Sequence, residues 1–430
     1  MAASDRTILF LMGPTSSFWR ELADEFEARG ARVVKVCFGM GDWLFWRPRS
    51  AVHYRGRLSR WPAFLEALID REKVTDILYY ADRQPYHLAA SKIARAKSIP
   101  AMTIENGYLR PDWITLEQGG MGAYSHFHAD PAVIRRLAEG VPQPDLSVKY
   151  PAGFWTEMVH EAAFHLFNYS WRIFYPFYTS GKYYDPLLEI LIGLPGLVGQ
   201  KRREAAAARL IGELAEGSAP YFVCALQMQG DYQIRANSAY AHISEMIEEV
   251  IASFAREASA EARLVFKQHP HDNGRENWPG HIRRSAARHG VESRVHFMDG
   301  GDLGKLLEKA RGCVIINSTV GLFALRKLCP TKLLGIAIYD MPGLTHQGPL
   351  ESFWQRPAPV DAGLFDDFVR VLAAGIQVKG SFYHEEGKAR AIREVVSRVL
   401  AGEVVGGPFS VATPPRLEQA AKAGIAIDWT

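Results

Sequence analysis

Residues 7–38, TILFLMGPTSSFWRELADEFEARGARVVKVCF, decide the fold. A short apolar run (7–13) precedes an amphipathic helical stretch (17–30), and a second β-rich run (32–38) follows it. That is the rhythm of a βαβ unit. Outward from there the alternation continues with a helix at 61–73, a strand at 76–80, a helix at 87–97 and the strand AMTIENG at 101–107. The first third therefore reads as a parallel, doubly wound sheet, with polar loops at the strand ends placed to carry chemistry.

Residues 150–200 break the rhythm with the aromatic-dense segment 164–184 and the Pro- and Gly-containing stretch LIGLPGLVGQ, and the domain junction is placed there. After a helix at 201–217 the alternation restarts, with strands expected near 221–227, 263–270, 294–299, 313–318 and 331–339. The expected fold class is α/β: a GT-B arrangement of two Rossmann-like domains facing a central cleft. The expected division is 1–200 for the acceptor domain, 201–385 for the nucleotide-sugar domain, and 386–430 for a helix and tail returning to the first domain. Two α/β domains of unrelated purpose would show the same pattern.

A chain of 430 residues exceeds what one core usually serves, which agrees with two domains. Its net charge of +3 is too balanced for a dedicated nucleic-acid binder, so an anion site must be local. The four cysteines, Cys37, Cys224, Cys313 and Cys329, have neither CxxC nor Cys/His spacing, so no zinc site or disulfide framework is expected and a reducing cytoplasm fits. The N-terminus lacks a cationic lead and a cleavage site and reads as a first strand, and no run is long enough to span a bilayer.

Three strand-end clusters mark the second half. CALQMQGDYQIRANS (224–238) sets Gln227, Gln229, Asp231 and Arg235 in a turn before a helix, where an Asp is either a cap or a carboxylate facing the cleft. FKQHPHD puts His269 at a strand end, with Pro270 stopping the ladder; the imidazole can donate to a phosphate or simply satisfy a loop. Asn317, Ser318 and Thr319 stand at a helix start, where free amides favour an anion and where Ser or Thr also serves as an ordinary cap. Together the three read as a donor site. In the first half, Glu105 precedes Gly107 at a strand end, placed for acid–base work or for a structural pair with Arg110.

These motifs, in one order, resemble the capsular polysaccharide synthesis proteins of the KpsS and KpsC type, and look closest to the S type. The resemblance covers most of the chain through LMGPTSSFW (11–19), GMGDW (39–43), ADRQPYH (81–87), ENGYLRPDWITLE (105–117) and QMQGD (227–231). It continues through the His269–Pro270 pair, NSTVG (317–321) and AIYDMPGLTHQGPLESFW (337–354). The family is one of retaining β-Kdo transferases using CMP-Kdo. The resemblance implies that Asp231 is the nucleophile of a double displacement and that Glu105 activates the acceptor hydroxyl. It also implies a donor site formed by Gln227, Gln229, Arg235, His269, Pro270, Asn317, Ser318 and Thr319. Asp82, His87, Asn106 and Arg110 are the acceptor-side candidates; Asn106 departs from the family's second acidic residue. No metal or other cofactor is expected, since a cytidine phosphate leaves without a strong acid and no DxD-type motif is present.

The S-type resemblance implies a phosphatidylglycerol-type lipid or Kdo-lipid acceptor, association with the capsule synthesis and export machinery, and a peripheral position on the inner face of the cytoplasmic membrane. The segment 43–61 offers Trp43, Phe45, Trp46 and Trp61 among Arg47, Arg49, Arg55, Arg57 and Arg60, which suits an anionic lipid interface or a loop with buried aromatics. The segment 164–184 is a second candidate, whose aromatics could instead fill the interdomain core. Two rival readings remain: a transferase for another CMP-activated acidic sugar, and a non-catalytic capsule assembly or export scaffold.

Overall fold

The computed structural model describes residues 2–151, 153–193, 199–427 and 429, so residues 194–198 of the LIGLPGLVGQ stretch lie outside the described residues. The first sheet contains β1 (Thr7–Phe10), β2 (Arg32–Cys37), β3 (Val52–His53), β4 (Asp76–Tyr80), β5 (Ala101–Asn106) and β6 (Trp113–Gln118). The second contains β7 (Tyr221–Ala225), β8 (Arg263–Lys267), β9 (Val295–Met298), β10 (Gly312–Ile315) and β11 (Thr331–Leu333); β12 (Gln377–Lys379) joins the first.

The first sheet runs β12-β6-β5-β4-β1-β2-β3 and the second β11-β10-β7-β8-β9. The second is parallel throughout. In both, the strand order reverses beside the first strand of the unit, which opens a crevice at the carboxyl ends of the strands. Such strands are covered by helices on both faces, and accordingly every residue of β1 and of β7 is buried.

Two differences from expectation have simple causes. The first sheet is mixed, because residues 107–112 between β5 and β6 are too few for a crossover helix and force an antiparallel hairpin, Glu105 facing Thr115. The chain also rejoins the first sheet by Gln377, earlier than the expected boundary at 385, when β12 adds antiparallel to β6. The helix Glu385–Ala401 then packs its buried Ile392, Val395, Val396 and Val399 into the core beneath Phe18, Leu22 and Phe26. The Phe18 and Phe382 rings meet edge to face at 5.0 Å. Lys388 secures this return by donating to Ser17 Oγ and Glu21 Oε1, both at 2.8 Å.

The two halves are tied at several points. Ala123 N donates to Asn237 Oδ1 at 2.7 Å. Arg275 and Asn273, in the loop after β8, hold Glu189 at 3.1 and 3.0 Å. The tail supplies Arg416, which is buried and donates to Phe127 O and His128 O of the first half and to Ile338 O of the second.

Candidate functional site

β7 and β10 are neighbours at the reversal point of the second sheet, and the loops leaving their carboxyl ends meet there. Gln227 Nε2 donates to Asn317 Oδ1 at 3.0 Å, and Asn317 N returns a bond to Gln227 Oε1 at 3.2 Å. The same Gln227 amide lies 3.5 Å from Asp231 Oδ2. Asp231 Oδ1 accepts the Gln233 amide at 2.9 Å and so caps the short helix Tyr232–Asn237. The capping reading of Asp231 thus holds for Oδ1, while Oδ2 is left to the Gln227 amide. Burial raises its pKa, opposed by the Gln233 and Gln227 bonds and by the charges of Arg110 and Arg235.

From the opposite sheet, the end of β5 brings Glu105. Tyr232, the residue after Asp231, donates its hydroxyl to Glu105 Oε2 at 2.7 Å across the interdomain boundary. Burial raises the pKa of Glu105 as well, against the Tyr232 bond, the Asn106 amide and the Arg110 charge. Arg110 is exposed, and its field reaches Glu105, Asp231 and His269. Glu105 is thus tied to the residue next to Asp231, and both carboxyls feel the Arg110 charge. Sequence reasoning did not single out Tyr232, although its position directly after Asp231 was a usable signal; Tyr80, whose hydroxyl accepts from Asn106 Nδ2 at 3.2 Å, was missed too.

His269 follows β8 and is partly exposed, with Pro270 in the turn beyond it. Burial and the charges of His271, Arg110 and Lys267 lower its pKa to about 4, so the ring is neutral at pH 7. Its Nδ1 accepts the His271 amide at 3.1 Å, which leaves the proton on Nε2. Ser318 Oγ accepts the Val320 amide at 3.2 Å and its carbonyl accepts Tyr339 Oη, whereas Thr319 makes no cap bond. Among the described residues, no group of three His, Cys, Asp or Glu is arranged to hold a metal ion.

Several expected site residues are placed elsewhere. Gln229 is buried, with its amide bonded to Ala241 O at 3.1 Å and Ile243 N at 2.8 Å, so it braces the loop rather than facing a ligand. Arg235, by contrast, stays near the site: its charge reaches Asp231, and its guanidinium lies over the Tyr183 ring at 5.3 Å. His87 is fully buried, stacked on Tyr79 and bonded through Nδ1 to Ala81 O, and burial lowers its pKa to about 4. Asp82 is buried between Arg83 Nε and the Met121 amide. Neither reaches an acceptor from there. In the segment 43–61, Trp46 and Trp61 are 2% and 0% exposed, Trp43 and Phe45 pack on the cores, and Arg49 pairs with Asp24 and Glu27. The core has taken up the aromatics of that segment, while Arg55 and Arg57 remain exposed. Exposed aromatics are found instead at Phe154 and Trp155 and, within the second candidate segment, at Tyr169, Trp171, Phe174, Phe177 and Tyr183.

A family model described as "Capsule polysaccharide biosynthesis protein" matches residues 75–383. The chain is 32% identical over 381 residues to "Capsule polysaccharide export protein KpsS" of Escherichia coli, covering 88% of this chain and 97% of that one. It is 30% identical over 398 residues to "Capsule polysaccharide modification protein LipB" of Neisseria meningitidis, covering 89% and 93%. Among solved structures, Thermosulfurimonas dismutans KpsC, a beta Kdo 2,7 transferase, aligns with a TM-score of 0.43 at 14% identity, covering 91% of this chain and 99% of that one.

Proposed function

The chain belongs to the capsule polysaccharide biosynthesis family, and on that premise we propose that it is a retaining β-Kdo glycosyltransferase moving Kdo from CMP-Kdo to a phosphatidylglycerol-type lipid or Kdo-lipid acceptor. The observation that carries this reading is the convergence of Asp231 and Glu105, joined through Tyr232, at the reversal point of the sheets.

Asp231 attacks the anomeric carbon as the bond to the cytidylyl phosphate breaks, and CMP departs with the electron pair. Raised basicity makes the ionised carboxylate a better nucleophile. The neutral His269, through Nε2–H, and Thr319 hydrogen-bond the leaving phosphate. An acceptor hydroxyl then attacks the glycosyl-enzyme on the face that CMP vacated, Glu105 takes its proton, and Asp231 leaves as carboxylate. Two inversions give retention. Arg110 balances the two carboxyls and the acidic sugar, and no metal has a role in these steps.

Incubating the protein with CMP-Kdo and a lyso-phosphatidylglycerol should yield a product heavier by one Kdo, detected by mass. No product with CMP-Kdo, but product with another CMP-activated acid, would reassign the donor. Absence of product with every CMP-sugar would favour the export or assembly scaffold.

A further inference from the structure

The helix Phe154–Ser170 is apolar on two opposite sides. Inward, Phe164 is buried in the first domain's core, and Asn168 Oδ1 accepts the Gly41 amide at 2.8 Å. Outward, Trp155, Val159, Ala162, Leu166 and Tyr169 recur every three or four residues and form one stripe along the helix. Trp155 is 64% exposed, Tyr169 65%, and Ile173, in the turn beyond, 83%, with Trp171 and Phe174 exposed beside it. Single exposed apolar residues are ordinary, but a continuous stripe of them calls for a partner.

Beside this stripe stand exposed cations. Arg55 lies over the Tyr175 ring at 5.8 Å, Arg57 over Phe177 at 4.4 Å, and Arg172 is in the turn itself. Among the described residues none of the three is in an ion pair. We propose that this face docks on a bilayer surface bearing anionic headgroups. Trp and Tyr on an apolar stripe, with cations at its rim, match the two forces of interfacial binding, apolar burial and attraction to negative lipid. A second copy of this chain fits less well, because self-complementary pairing would gather both sets of Arg55, Arg57 and Arg172. No helix among the described residues is long and apolar enough to cross a membrane, so contact is along the surface.

The position is apt for delivering a lipid. Phe154 stacks on His271 at 5.7 Å, two residues from His269, and the His160 ring meets Tyr383 at 5.6 Å, so the helix that carries the stripe borders the crevice with its other side. Docking rests on the proposed function only for its purpose, presenting a lipid acceptor; binding itself can be measured without any donor.

The test is cosedimentation of the full chain with vesicles of phosphatidylglycerol mixed into phosphatidylcholine, against phosphatidylcholine alone. Preference for the anionic vesicles, weakened by salt, is expected. Arg55→Glu and Arg57→Glu should each lower affinity by about fivefold or more, and Trp155→Ser with Ile173→Asp should lower it further, with circular dichroism unchanged. Absent or indifferent vesicle binding overturns the proposal, as does a dimer that Ile173→Asp dissociates. Transfer to a soluble short-chain acceptor, unchanged in the vesicle-defective variants, supports it. Vesicle binding intact in a protein that transfers nothing would sink the transferase reading while leaving the docking face in place.

Discussion

Asp231 caps a helix and is also the proposed nucleophile, so its substitutions need separating. Alanine removes the cap as well as the nucleophile, at about 1 kcal/mol of stability, whereas asparagine keeps an oxygen for the Gln233 amide. Asp231→Asn is therefore expected to melt with the wild type in calorimetry while transfer falls by about a thousandfold or more. Near-normal turnover would remove the nucleophile assignment. Glu105 and Asp231 both have raised pKa values and both must be ionised to act, so the rate should climb with pH along a limb above the usual carboxylate range. Tyr232 lowers the Glu105 value by donating to it; Tyr232→Phe should move that limb to higher pH, and a stationary or lowered limb would uncouple Tyr232 from the base. Glu117 behaves differently. Burial pushes its pKa from 4.5 to about 8, with Ser125 and Arg416 opposing. A folded value above the unfolded one means stability complete below the unfolded pKa and lost as pH rises through about 8. Glu117→Gln should flatten the fall of Tm between about pH 4.5 and 8, and an equal fall in the variant would rule that group out.

At the scale of elements, the GMGDW stretch is a docking seat. Asp42 is paired with the buried Lys35 at 2.8 Å, and a Cβ on Gly41 would lie 2.3 Å from the carbonyl of Phe164. Glycine there lets the helix Phe154–Ser170 approach closely, and the backbone of the partner helix has little room to retreat. Gly41→Val is expected to cost about 1–3 kcal/mol in denaturant unfolding through overpacking; unaltered stability would mean that the two helices separate freely. Much of the family-like motif content is structural in the same way. Asp112 accepts from Lys379 Nζ at 2.8 Å and from the Lys149 amide, and Asp340 accepts from Thr345 and Gln419.

Over the whole molecule, the C-terminal tail fastens the two halves. The buried Arg416 guanidinium spans carbonyls of both, and charge-assisted bonds of this kind contribute about 1.5–3 kcal/mol each. Arg416→Met should lower stability by about 3 kcal/mol or more, and limited proteolysis should cut the tail before either sheet. A tail that stays protected would assign the fastening to the neighbouring apolar contacts of Ile336, Ala420 and Ile425.

The alternation of apolar runs and amphipathic stretches sufficed to determine two α/β units, because buried parallel strands and their covering helices each impose a period on the chain. Strand-end position likewise marked Gln227, Asp231, His269, Asn317 and Glu105, since loops at the carboxyl ends of parallel strands face the crevice. Only the tertiary structure decided which polar residues face inward: Gln229, His87 and Asp82 carry the same letters as ligand-binding groups, and neighbours distant in sequence absorb them. It also decided that Trp46 and Trp61 are core while Trp155 and Ile173 are surface. An aromatic side chain looks alike in either setting along the chain, and whether it is covered depends on which elements pack over it.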